Sequence, residues 1–118
     1  MNDNNNPLGG IYISPRAIAT IAHQAALESY GVVGLAHKNL VNGLSQVIVK
    51  DPTHGVEVQY DGNEIVINMY IIIEYGVRIS SVASSVMNLV HFQVEKALGL
   101  PVKSVNVHVQ GLRISELE

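Results

Sequence analysis

Several residue types that support common chemistries are absent from this chain. It has no cysteine, so neither a disulfide framework nor a thiolate metal site can form, which fits a reducing compartment. No apolar run approaches the ~20 residues that span a bilayer. The N-terminus also lacks the basic and apolar regions of a signal peptide. Together these absences predict a cytoplasmic protein.

Charge is scarce as well. Charged residues make up 14% of the 118 residues, whereas about 25% is usual, and the formal net charge is −3. Such a surface repels another copy weakly, which favours self-association or a protein partner. The alternative interpretation is a small domain without a specific partner. The length predicts one domain at 10–118, after a tail at 1–9 whose polar composition predicts disorder.

Periodic apolar residues predict a series of helices and strands. Ser14-Pro15 is typical of a helix start, and Asp61-Gly62-Asn63 is typical of a hairpin turn. The segment at 39–49 fits helical spacing, but its apolar residues at 47–49 alone would suit a strand. The predicted elements are a strand at 10–13, a helix at 15–30, a strand at 32–36, paired strands at 56–60 and 65–73, a helix at 80–98 and a strand at 105–109.

These elements predict an α+β fold, a two-layer sandwich in which a mixed, mostly antiparallel sheet is covered by two main helices. Alternation along the hairpin predicts one core face, formed by Val56, Val58, Tyr60, Ile65, Ile67, Met69, Ile71 and Ile73. Helical spacing predicts that the second long helix turns one stripe inward, formed by Ile79, Val82, Ala83, Val86, Val90, Val94 and Ala97.

Two surfaces are candidates for a partner interface. Phe92, the only phenylalanine, projects from the serine-rich outward side of the second helix, beside Ser85 and Asn88. It is either packed under a loop or available to a partner. On the second face of the long strand, Tyr70 and Ile72 make the far end apolar, which predicts cover on both sides by a helix, the tail or another subunit.

The last strand adds a polar row to these candidates. Asn106, His108 and Gln110 alternate with valines and offer both hydrogen-bond donors and acceptors. The favoured interpretation is a solvent-facing or cross-strand polar ladder, and recognition of a partner is the alternative.

A search for reactive chemistry finds no motif. No nucleophile elbow or phosphate-binding glycine loop is present, and the five histidines show no metal-ligand spacing. The sequence therefore predicts no catalytic, metal or cofactor-binding residues. The seven basic residues are scattered and the net charge is negative, so nucleic acid is not an expected partner.

Several runs of residues together resemble the alkaline shock protein family, which is associated with the envelope stress response of bacteria. The runs are GIYISP at 10–15, IATIA at 18–22, GVVGL at 31–35, YGV at 75–77 and VNVHVQG at 105–111. The last run is the most specific, and the order and spacing agree with the family across nearly the whole chain beyond the tail.

This resemblance implies a cytoplasmic, non-enzymatic scaffold of mixed α/β fold that self-associates or docks on a membrane-anchored partner. Any contact with the membrane would then be indirect, through that partner. Two other functions remain open at this stage. One is an accessory or acyl-ligand-carrying partner of a fatty-acid or dihydroxyacetone-type kinase, and the other is a small RNA-binding domain.

Overall fold

The computed structural model describes residues 13–37 and 51–114. The predicted tail at 1–9, most of the strand predicted at 10–13 and the whole segment at 39–49 lie outside these residues. The described elements are α1 (Pro15–Leu27), β1 (Val32–Leu35), β2 (Val56–Tyr60), β3 (Ile65–Glu74), α2 (Ile79–Leu98) and β4 (Ser104–Arg113).

The first helix begins where the sequence predicts and ends earlier. The Ser14 hydroxyl accepts a hydrogen bond from the Ala17 N–H at 3.0 Å, and proline occupies the first turn. The helix ends at Leu27 rather than near Tyr30. The residues between them form the turn into β1, in which the Val32 N–H bonds to the Ser29 carbonyl at 3.2 Å.

Strand β3 is the centre of the sheet. β4 pairs with it in parallel along one edge, and both β1 and β2 pair with it antiparallel along the other edge. β2 is paired with 65–69 and β1 with 71–73, so these two strands lie end to end. Tyr70 stands at their junction, where its N–H bonds to Gly55 at 3.0 Å and its carbonyl accepts from Ala36 at 2.8 Å.

Both helices pack on the same face of this mixed sheet. The inward residues of β3 are fully buried there, as predicted, and the register of the hairpin places Val56, Val58 and Tyr60 beside them. The core cluster is completed by apolar residues of the helices and β4, including Ile18, Ala22, Ala25, Ala26, Val82, Val86, Val90, Val94, Val102 and Val105. The predicted α+β two-layer sandwich is confirmed.

The predicted inward stripe of α2 is correct in its middle and wrong at its ends. Val82, Val86 and Val90 are buried, whereas Ile79 and Ala97 are exposed. A helical wheel assumes that the whole helix is covered, but a 20-residue helix is about 30 Å long. The sheet and α1 cover its middle turns, and the first and last turns extend past them.

Candidate functional site

Most of the predicted interface residues of the sheet lie on the face that points away from the helices, here termed the open sheet face. Tyr70 and His108 are neighbours across β3 and β4, and their rings stack with centroids 4.8 Å apart and an angle of 14° between planes. The Tyr70 hydroxyl also donates to Glu57 Oε1 on β2 at 3.2 Å. One aromatic side chain therefore links all three strands at this level of the sheet.

A second polar pair lies one step along the same two strands. Asn68 and Asn106 are paired in register, and the Asn106 side-chain amide donates to Asn68 Oδ1 at 3.2 Å. The predicted cross-strand ladder is thus present for two of its three members. Asn106 and His108 remain exposed, so the polar groups of the ladder are accessible from outside the sheet.

Gln110 interrupts the ladder. Ile71 is paired with Val109, whereas the next residue, Ile72, is paired with Gly111, so Gln110 is an extra residue in β4. Such a bulge bends an edge strand and breaks its alternation. The strict alternation expected through Gln110 from the sequence therefore ends at His108.

The second predicted surface is on the opposite side of the sandwich. Phe92 is 58% exposed, and Ser85 and Asn88 are exposed on the same outward side of α2. The Lys96 ammonium lies 5.7 Å from the centroid of the Phe92 ring, within cation–π range. Phe92 is accordingly not packed under a loop, and the candidates form two separate surfaces.

One polar cluster was missed by sequence reasoning. Glu95 Oε2 accepts the Val102 N–H at 2.8 Å, and His91 Nε2 lies 3.0 Å from the Val102 carbonyl, to which it donates. His91 and Glu95 are themselves 3.5 Å apart. Their spacing of four residues on one helix face is the signal that could have revealed the pair. Together they hold the connection between α2 and β4.

The groups with shifted pKa values lie outside both surfaces. Burial lowers the pKa of His23, the nearby His54 lowers it further, and the Asp51 carboxylate opposes them. The pKa of Asp51 is lowered because the backbone N–H and the hydroxyl of Thr53 both donate to it. Hydrogen bonds from the turn that follows Asp61 lower the pKa of that carboxyl too, that of Glu64 most. These shifts belong to turns and a half-buried helix side chain.

Three further observations concern other kinds of site. Across 13–37 and 51–114, no three histidine, aspartate or glutamate side chains are grouped so that they could hold a metal ion. Two of the basic residues form ion pairs, Arg16 with Asp51 at 3.5 Å and Lys103 with Glu64 at 3.3 Å. In the same part of the chain, neither helix is long and apolar enough to cross a membrane.

The fold defines a class of two-layer α+β domains with one uncovered sheet face. The solved structure "MamM-CTD 215-293" shares this fold with a TM-score of 0.50 and 18% identity, and the match covers 80% of this chain and 95% of that one. At this identity the similarity shows the fold alone.

The family follows from the sequence itself, because the model of the alkaline shock protein family, described by its "cell envelope-related function", matches residues 3–114. The chain belongs to this family, and the resemblance seen in its sequence runs is confirmed. It is 44% identical over 109 residues to the uncharacterized protein YloU of Bacillus subtilis, covering 91% of each chain. It is 34% identical over 108 residues to the uncharacterized protein Spy1614 of Streptococcus pyogenes serotype M6, covering 90% of this chain and 89% of that one.

Proposed function

We propose that this protein is a non-enzymatic interaction module that acts at the inner face of the cell envelope by docking on a membrane-anchored protein. The observation that carries the proposal is the open sheet face. Both helices cover the other face, so nothing in the described residues forms a second layer over the Tyr70–His108 stack. The cell envelope-related function of the family supports the location.

The open sheet face offers a partner an ordered surface. Aromatic rings and amides are typical of protein interfaces, because they combine contact area with hydrogen bonds. The Tyr70 ring is already held by His108 and Glu57, and the Asn106 amide by Asn68. A partner therefore loses little binding free energy to the ordering of these side chains.

Docking through a protein fits the charges better than direct binding to lipid. A protein that binds an anionic membrane by itself needs an excess of lysine and arginine on one face. Here the net charge is −3, and Arg16 and Lys103 are each paired with a carboxylate. The contact with the membrane is therefore assigned to the partner.

The shifted pKa values support binding rather than catalysis. A catalytic acid or base is usually recognised by a perturbed pKa inside a cleft that also holds a reacting group. Asp51 and Asp61 are instead turn-forming carboxylates whose hydrogen bonds stay within the turn. His23 is half-buried on α1, and its pKa is lowered first by that burial.

The experiment is affinity purification of the tagged chain from detergent-solubilised membranes of its native cells. The wild type is compared with the double variant Asn106→Glu, His108→Glu, which adds charge to exposed positions of the open sheet face without touching the core. Phe92→Ser, on the opposite surface, is the matched control. We expect a membrane protein that is recovered with the wild type and the control and is lost with the double variant.

Two results would contradict the proposal. Recovery of no membrane protein by the wild type would show that docking at the envelope is wrong. Equal recovery by the wild type and the double variant, with loss in Phe92→Ser, would move the interface from the sheet to α2.

A further inference from the structure

One end of the sandwich collects most of the exposed large apolar side chains. Eight such side chains occur in the described residues, and six of them lie where α1, β3 and β4 end and α2 begins. This set is termed the apolar end. Its members are Leu27, Tyr30, Tyr75, Ile79, Leu112 and Ile114.

Backbone hydrogen bonds bring these elements together. The Glu74 N–H bonds to the Gly31 carbonyl at 2.8 Å, which places the turn after α1 beside the end of β3. The Tyr75 N–H bonds to the Arg113 carbonyl at 2.8 Å, which places the end of β4 there too. Since α2 begins at Ile79, all of these apolar side chains share one end of the molecule.

The apolar end is as large as a protein interface requires. Tyr30 is 83% exposed, Ile114 67% and Tyr75 62%. If a large side chain has a full surface of roughly 150–250 Å², the six together expose on the order of 700 Å². The largest apolar patch of an ordinary monomer is about 300–600 Å². A standard complex buries about 800 Å² from each partner.

The shape of this end suits contact with an identical surface. A groove of about 310 Å³ runs between Tyr30 and the first turns of α2, with Val77 and Val82 in its walls. Tyr75 stands directly before Gly76, which also lines the groove. A projecting apolar side chain beside a groove can be matched by a second copy across a two-fold axis, because each copy then fills the groove of the other.

The parts of the chain outside the described residues offer little cover for this end. Residues 1–12 join at Ile13, next to the start of α1, which is the opposite end of that helix. Residues 38–50 rejoin at Asp51, which pairs with Arg16, also at the start of α1. Residues 115–118 do continue from the apolar end, but Leu117 is their only apolar residue.

The charges around the apolar end identify its occupant. Its rim holds two carboxylates, Glu28 and Glu74, and two guanidinium groups, Arg78 and Arg113. A surface that meets its own copy needs both signs, because a rim of one sign would repel itself. An anionic lipid surface would instead require a basic surplus. We infer that the apolar end binds a second copy of this chain in a symmetric dimer.

This inference rests on the proposed function only in treating the protein as a binding module, and it needs no envelope partner. The first test is sedimentation equilibrium of the purified full chain from low micromolar concentrations upward. We expect a dimer whose dissociation constant rises at least about tenfold in Tyr30→Ser and in Ile114→Ser, because each removes a large apolar contact. Phe92→Ser, an exposed aromatic elsewhere, should leave the constant unchanged.

Folding of each variant is checked by circular dichroism, and the two apolar-end variants back each other up if one fails to fold. A wild type that remains monomeric over the whole range would overturn the inference. So would a dimer that dissociates in Phe92→Ser and persists in Tyr30→Ser and Ile114→Ser. A monomer that carries a bound small molecule in native mass spectrometry would assign the groove to a ligand and would also overturn it.

A second test uses the absence of cysteine from the chain. Ser80→Cys is exposed in the first turn of α2, beside the apolar end, and Asn88→Cys is exposed two turns further along the same helix. Neither change removes apolar surface. A short bis-maleimide should link two copies of Ser80→Cys in much higher yield than Asn88→Cys, and equal yields would contradict the dimer.

Failure of this inference can be told apart from failure of the proposed function. A monomeric wild type that still recovers an envelope protein through the open sheet face would overturn only the dimer. A dimer that dissociates in the apolar-end variants but recovers no envelope protein would overturn only the docking function.

Discussion

Burial decides which isoleucines matter for stability. Ile67 on β3 has no exposed surface, whereas Ile79 on α2 is 47% exposed, although the sequence predicts both as core residues. We expect Ile67→Ala to lower the free energy of unfolding by about 2–5 kcal/mol, because it removes buried methyl groups and leaves a cavity. Ile79→Ala should stay within about 0.5 kcal/mol of the wild type. Urea denaturation measures both, and similar losses would contradict the exposed position of Ile79.

The clasp formed by His91 and Glu95 gives a second prediction. The N–H of Val102, a residue with 5% exposure, donates to Glu95. Glu95→Ala should cost about 1–3 kcal/mol, because this backbone group then lacks its partner. Glu95→Gln keeps an acceptor oxygen and should cost less. Hydrogen exchange checks the mechanism, since the Val102 amide should lose protection in Glu95→Ala, and unchanged protection there would contradict it.

At the scale of elements, two turn glycines form a matched pair. Gly55 and Gly62 both have positive φ angles, +78° and +90°. A Cβ at Gly62 would meet nothing, but a Cβ at Gly55 would lie 2.7 Å from the Leu35 Cβ and 3.0 Å from the Ala36 carbonyl oxygen. Gly62→Ala should therefore cost only the backbone strain, about 1–2 kcal/mol.

Gly55→Ala should cost clearly more than Gly62→Ala, because it also forces apart β1 and the turn before β2. Thermal unfolding of the two variants measures the difference. Equal losses would mean that the contact between Gly55 and β1 yields without cost. The comparison isolates this contact because the backbone conformations of the two glycines are similar.

The accuracy of prediction also varies from element to element, for physical reasons. The alternation in β3 and the hairpin turn at Asp61-Gly62-Asn63 are local patterns, and both predict the structure correctly. The end-to-end arrangement of β1 and β2 is not local. Periodicity shows which face of a strand is buried but not which edge it pairs with, so the sequence leaves this arrangement open.

The predicted interface shows the same limit. Phe92 and His108 could be singled out because each stands against the pattern of its own element. The apolar end could not, because its six side chains come from elements that are far apart in the sequence. Each looks like an ordinary exposed apolar residue until the fold brings them together.

At the scale of the whole molecule, stability should fall as the pH falls. The pKa of His23 in the folded state is lowered from its ordinary value of 6.5, so the unfolded chain binds the proton more readily. The stabilisation from His23 is complete above 6.5 and is lost as the pH falls through its lowered value. His54 and Asp51 act on the same group, with opposite effects on its pKa.

The two aspartates act in a more acidic range. The pKa values of Asp51 and Asp61 are lowered from 3.8, so their contributions are present above that pH and are lost below it. Chemical denaturation between about pH 4.5 and 7.5 should therefore report mainly His23 among the three. We expect the slope of stability against pH to flatten in His23→Gln, and an unchanged slope would show that another group titrates there.

The central position of β3 also determines when the molecule can assemble. Among the strands described, it alone is paired on both edges, and β4 reaches it only after α2 has been made. On the ribosome, β1 and β2 must wait for β3 before either gains a neighbour, and β3 then exposes one unsatisfied edge until the last strand emerges. A chain cut within α2 would keep that edge bare along ten residues, which makes such fragments candidates for aggregation and for rapid removal by proteases.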